Sequence, residues 1–166
     1  MNSQLLIEKL ESSEEFGKFM EENPKAYLCS GFFVIDLEDK EAGNQYHFDF
    51  FVLETGKTFS FELEDGVKLV PLERYEQVLE KVSMKNDFDF EEIERIISRE
   101  MELKKINNKI QKMIFSFQNI KGKDFLLGTI FVSGFGMIKV NINLKEKRIT
   151  EFEKKSFFDM MKIIRK

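Results

Sequence analysis

One cysteine, Cys29, stands in a chain of 166 residues, so no internal disulfide framework can form. One histidine, His47, leaves acid–base chemistry near neutral pH with a single imidazole to use. Tryptophan is absent. The paired Cys and His ligands of structural zinc sites are missing, as is an Asp-x-Asp-x-Asp loop for calcium. No apolar run approaches the roughly 20 residues needed to span a bilayer. The start, Met1-Asn2-Ser3-Gln4, lacks the basic n-region of an export signal, and Glu8 and Glu11 interrupt the leucine-rich stretch after it. The expectation is a cytoplasmic protein with no membrane segment. The formal net charge of -4 gives no general attraction to nucleic acid.

The composition is that of an ordinary globular protein, 42% hydrophobic and 34% charged. A chain of this length buries roughly two-thirds of its unfolded surface. Aromatic usage is skewed to 19 Phe against 3 Tyr, and Phe has no polar handle, so these rings belong in a core or an interface.

The order of patterns occurs twice. Charged helical segments lead into Phe- and Ile-rich strands at Tyr27–Leu63, and Glu91–Lys112 leads into Phe125–Phe152. Leu5, Leu6 and Leu10 have helical spacing; Ser12 and Glu15 then fit a capping box for a second helix bearing Phe16, Phe19 and Met20. Asn23-Pro24 ends it. Tyr27–Leu37 is a near-continuous apolar run suited to a strand covered on both faces. Tyr46–Leu53 and the Phe59, Phe61, Leu63 alternation complete a three-stranded meander turned at Thr55-Gly56. Pro71 suits the first turn of a connector helix carrying Leu72, Tyr75, Leu79 and Val82. Lys85-Asn86-Asp87 breaks that stripe and divides the chain into an N-terminal unit, 1–85, and a C-terminal unit, 86–166.

In the second unit Asp89 and Glu92 mark a helix start, and Ile93, Ile96, Ile97, Leu103, Ile106 and Ile110 form its apolar stripe. Glu residues crowd its beginning and Lys104, Lys105, Lys109 and Lys112 its end, which complements the helix dipole. Met113–Phe117 and Phe125–Ser133 read as strands, with reversals at Lys121–Asp124 and Gly134–Gly136. Ile138, Val140, Ile142 and Leu144 alternate with Lys139, Asn141 and Asn143, which should face away from the core. Arg148–Phe152 returns, and Phe157–Ile164 has the pattern of a final amphipathic helix. The fold class is therefore α+β: two helix-plus-antiparallel-meander units packed together.

Leu126–Glu151, with its Ile-Lys-Val-Asn-Ile-Asn strand followed by a tight turn and Arg148-Ile149-Thr150-Glu151, resembles the PepSY-like domain pattern. Asn143–Lys147 lacks the Asp and Gly common at that turn in the family. Asn23–Leu28, reading Asn-Pro-Lys-Ala-Tyr-Leu, is similar to a segment of small uncharacterised microbial proteins. The resemblance implies an internal repeat of PepSY-like units and a role in binding or peptidase inhibition. It supplies no catalytic residue.

Candidate chemistry is thin. His47 and Asp49 lie two apart on one strand, as a base and its orienting carboxylate would, and Cys29 is a conceivable nucleophile for His47 if their strands are neighbours. Asp36, Glu38, Asp39 and Glu41 cluster in a loop. Gly128, Gly134 and Gly136 have the wrong spacing for a phosphate loop. Lys104–Lys123 is locally basic with Phe115 and Phe117 nearby, but the acidic remainder opposes an RNA-binding reading. The expectation is a non-enzymatic module with no catalytic, cofactor or metal residues. Its partner would be a protein or peptide, added along an open strand edge at Phe125–Ser133 or Arg148–Phe152. The alternatives are a self-associating structural protein forming a homodimer, and a small Cys/His hydrolase.

Overall fold

A computed structural model describes residues 1–39, 41–73 and 78–156. Among the described residues three helices, α1 (Ser3–Glu11), α2 (Glu14–Glu22) and α3 (Phe90–Leu103), accompany eight strands: β1 (Tyr27–Asp36), β2 (Gln45–Val52), β3 (Lys57–Glu62), β4 (Lys68–Leu72), β5 (Ile110–Ile120), β6 (Lys123–Val132), β7 (Gly136–Asn143) and β8 (Arg148–Ser156). The strands form one antiparallel sheet in the order β4-β3-β2-β1-β5-β6-β7-β8. The α+β class expected from the sequence is observed, with strands dominating. No described helix is long and apolar enough to cross a membrane.

One parity of each central strand joins the helices in a continuous core. Phe33 of β1 packs edge-on against Phe48, Phe88 and Phe90, while Phe19 of α2 packs against Phe50, Phe59 and Phe61. Met113, Phe115, Ile130, Ile138, Val140 and Ile142 extend that cluster across the later strands, in one core with Ile93 and Ile97 of α3. Much of the Phe-rich composition thus goes into one aromatic core, where edge-to-face geometry adds to the gain from burial, while Phe32, Phe131 and Phe135 are exposed.

Several local expectations are corrected. The cap of α2 is Ser13, whose Oγ accepts from the Phe16 N–H, whereas Ser12 is the C-cap of α1. The connector is not a helix at its start: Lys68–Leu72 is an edge strand, and Pro71 sits where proline's missing N–H is tolerated. Tyr75 lies outside the described residues, and Leu79 and Val82 are in irregular chain. α3 stops at Leu103 rather than continuing to Lys112. Lys105 takes a left-handed φ of 58°, its N–H donates to Glu102 O, and the Ile106 N–H donates to Met101 O at 2.8 Å. That pair of bonds is a Schellman ending, with Ile106 folded back beside Met101. Ile110 therefore opens β5, which is longer than the Met113–Phe117 segment.

Ile138, Val140 and Ile142 are fully buried as expected, and Lys139 is exposed. Asn143 departs from the pattern: it is buried because its Oδ1 accepts from the Glu146 N–H and closes the β7–β8 turn. The strand at Phe125–Ser133 is no edge, since β6 pairs with β5 and β7 on its two sides. The sheet ends at β8 and β4. The amphipathic pattern at Phe157–Ile164 lies outside the described residues.

The first residues of the chain clasp the segment before α3. Ser3 N–H donates to Phe88 O, Ser3 Oγ donates to Asn86 O, and Gln4 Nε2 donates to Asn86 O at 2.7 Å. Val82, wholly buried, donates its N–H to Leu28 O at 2.8 Å. These bonds hold residues 82–88 between the start of α1 and the first residues of β1, where the segment forms the wall of a cleft.

Candidate functional site

Where the held segment 81–87 meets the β5–β6 and β7–β8 turns, a cleft of about 1300 Å³ opens. Each wall follows from local chain geometry. The β5–β6 reversal is a two-residue turn with Lys121 and Gly122 both at positive φ, as the right-handed strand twist favours. In the β7–β8 reversal Lys147 has φ 51° and Asn143 caps the loop. Five lysines line the cleft: Lys81, Lys85, Lys123, Lys145 and Lys147.

The carboxylates in the cleft are already engaged. Asp124 accepts from Asn119 Nδ2, Asn86 Nδ2 and the Ser83 N–H, at 2.8, 2.7 and 3.1 Å. Asp87 accepts from Asn2 Nδ2, and Glu146 pairs with Arg148. Among the lysines only Lys147 has an ion pair, to Glu92 at 3.2 Å, within the described residues. Lys81, Lys85, Lys123 and Lys145 have no ion pair there, and five lysines against Asp87, Asp124 and Glu146 leave the lining with a positive formal balance. The locally positive field belongs to the turns and the connector, three segments far apart in sequence.

The candidates suggested by the sequence are scattered. β1 and β2 are neighbours, but His47 lies opposite Phe32, while Cys29 sits at a bulge between Leu28 and Ser30. Cys29 is buried, and its thiol donates to the backbone carbonyl of Asp49 at 3.4 Å. His47 and Asp49 turn to different partners. Ser30 Oγ donates to Asp49 Oδ2 at 2.8 Å, whereas His47 Nε2 contacts Glu64 Oε1 at 2.5 Å. The acidic loop caps itself: Asp36 Oδ1 accepts from the Glu38 and Asp39 N–H groups, and Asp39 Oδ1 from those of Glu41 and Ala42. The donated bonds from Asp39 and Glu38, with Lys112 beside it, hold the Asp36 carboxyl below the usual carboxylate range, against a smaller opposing effect of burial. Phe115 and Phe117 are core residues and offer no stacking surface for a base.

A second constellation was not legible from spacing. The β2–β3 register sets His47 directly across from Glu62, and Glu64 comes just after β3, so ligand atoms of all three lie within 4.8 Å of one another. Residue separation in sequence hides it; the hairpin register set by the turn at Thr55-Gly56 would have exposed it.

No family model matches the chain, and no curated protein matches it. Among solved structures, the chain is similar in fold to a protein of Clostridium difficile 630 described as a "putative lipoprotein", with TM-score 0.52 and 12% sequence identity. The alignment covers 86% of this chain and 91% of that one, and it shows a shared fold.

Proposed function

We propose that the protein is a non-catalytic binding module whose partner is a protein presenting an acidic segment to the lysine-lined cleft. One observation carries this: five lysines line the cleft against three carboxylates, and four of the five lysines have no ion pair among the described residues. A cleft in that state attracts anionic groups, because the repulsion among like-signed lysines is relieved when a negative partner enters. The overall charge of -4 disfavours a polyanion as large as nucleic acid, and favours a short acidic stretch that meets only the cleft. β8 begins at Arg148, immediately after the turn that walls the cleft, and forms one end of the sheet. Among the described residues β8 has no strand on its outer side, and an extended peptide anchored by the lysines would add there.

The element order supports the further reading of two helix-plus-meander units. Helices precede β1–β4, α3 precedes β5–β8, and the two sets of four strands meet through β1 and β5. Residues Leu126–Glu151, which resemble the PepSY-like pattern, span β6, β7 and the start of β8.

The test is capture from a native lysate with the wild type and a Lys81→Glu, Lys85→Glu, Lys123→Glu variant. A partner retained by the wild type and lost by the variant, with an acidic segment that competes for capture as a synthetic peptide, is the expected result. Equal capture by both proteins overturns the reading.

A further inference from the structure

We propose that His47, Glu62 and Glu64 form a site for one divalent transition-metal ion, with Zn²⁺ the best match to the donor set. The residues belong to the β2–β3 hairpin and its exit, not to the lysine-lined cleft, so the two proposals stand separately. An imidazole nitrogen with two carboxylates is a donor set that zinc accepts, and two negative ligands balance the charge of the ion.

The geometry is close to what coordination needs. Donor atoms sharing one zinc sit about 3.4 Å apart, from metal–ligand bonds of about 2.1 Å at tetrahedral angles. The three residues bring theirs within 4.8 Å, and His47 Nε2 and Glu64 Oε1 are nearer still, at 2.5 Å. Carboxylate rotation opens one contact and closes the other. His47 and Glu62 are cross-strand partners, so their backbones are held by the ladder. Glu64 is oriented by the Tyr46 N–H, which donates to its Oε1, and the His47 ring lies against Phe32 with centroids 5.9 Å apart. Outer contacts of this type fix the orientation of metal ligands.

Access is also met: the His47 and Glu64 side chains are 20% and 28% exposed, which lets an ion enter and leaves room for water as a remaining ligand. Lys68 lies across from Glu62 in the next strand and supplies a cation to that cross-strand row. Without the ion, His47 Nε2 and Glu64 Oε1 are in direct contact. On binding, neutral imidazole carries its hydrogen on Nδ1 and gives the Nε2 lone pair to the ion.

Calorimetric titration of the full chain with Zn²⁺, and absorbance titration with Co²⁺, test the site. The expected result is one ion per chain in the wild type, with affinity reduced at least about tenfold in His47→Gln and in Glu62→Gln. Circular dichroism checks that each variant is folded; should His47→Gln fail that check, the near-isosteric Glu62→Gln decides. Absence of binding by the wild type at millimolar Zn²⁺, or binding undiminished in the folded variants, overturns the proposal.

Discussion

Gly128 and Phe115 are cross-strand partners, and a Cβ on Gly128 would lie 2.8 Å from Phe115 Cε1. On the other side it would meet Val140 Cγ2 at 2.8 Å. Both neighbours are fully buried, so neither can swing away. The glycine is there for close packing, and not for a turn or a phosphate.

Gly128→Ala should therefore destabilise the protein by about 1–3 kcal/mol, the usual cost of overpacking a tight core. Urea unfolding, read as a shift in midpoint at constant slope, measures it. The same change at Gly17, where an added Cβ meets nothing within 4 Å, should be neutral or stabilising because alanine is the better helix former.

Val82 lies outside any helix or strand, yet it is wholly buried and its N–H donates to Leu28 O. Val82→Ala should cost about 2 kcal/mol through lost burial and the cavity left behind. It should also loosen the segment that walls the cleft. Hydrogen exchange at residues 82–88 should quicken by more than the global loss of stability accounts for.

Cys29 is a packing residue at a strand bulge, with 1% of its surface exposed. Cys29→Ala should cost about 1 kcal/mol, within the common range for a small core truncation. The thiol of the folded protein should react slowly with a disulfide reagent, at a rate that tracks unfolding. Rapid modification of the native state would revive a nucleophilic role.

Asp36 gives a pH signature. Its carboxyl is depressed in the folded state, so its contribution is present above the unfolded carboxylate pKa and is lost as pH falls through the folded one. Asp36→Asn keeps an oxygen for the Glu38 and Asp39 N–H groups but removes the charge facing Lys112. Thermal midpoints of wild type and variant should differ at neutral pH and converge in acid. A constant gap across that range contradicts the assignment.

Strict periodicity was the legible part of the sequence. Ile138, Val140 and Ile142 alternate without interruption, and they are buried. α1, α2 and the start of α3 were marked by apolar spacing, but only the cap of α3 was read at the right residue, with Asp89 accepting from the Glu91 N–H. The end of α3 was not marked, because the left-handed position is filled by Lys105 rather than glycine, and Ile106 and Ile110 continue the helical spacing beyond it. Pro71 misled for a related reason: a helix start and a sheet edge both tolerate its missing N–H, and the choice depends on whether β3 has an open side. The cleft and the His47 cluster depend on which turns and strands become neighbours. Lys85, Lys123 and Lys145 share no local pattern, so only the tertiary arrangement brings them together.

The most direct measurement of the central claim is fluorescence anisotropy of a labelled Glu-rich peptide titrated with the full chain at several salt concentrations. Saturable binding is expected, weakening as salt rises and lost when Lys85 and Lys123 are both changed to Glu, while a Lys-rich peptide of equal length does not bind. Absence of saturable binding at low salt, or binding unaltered by the charge reversal, would contradict the account. Tighter binding of an RNA oligomer of the same charge would contradict it as well.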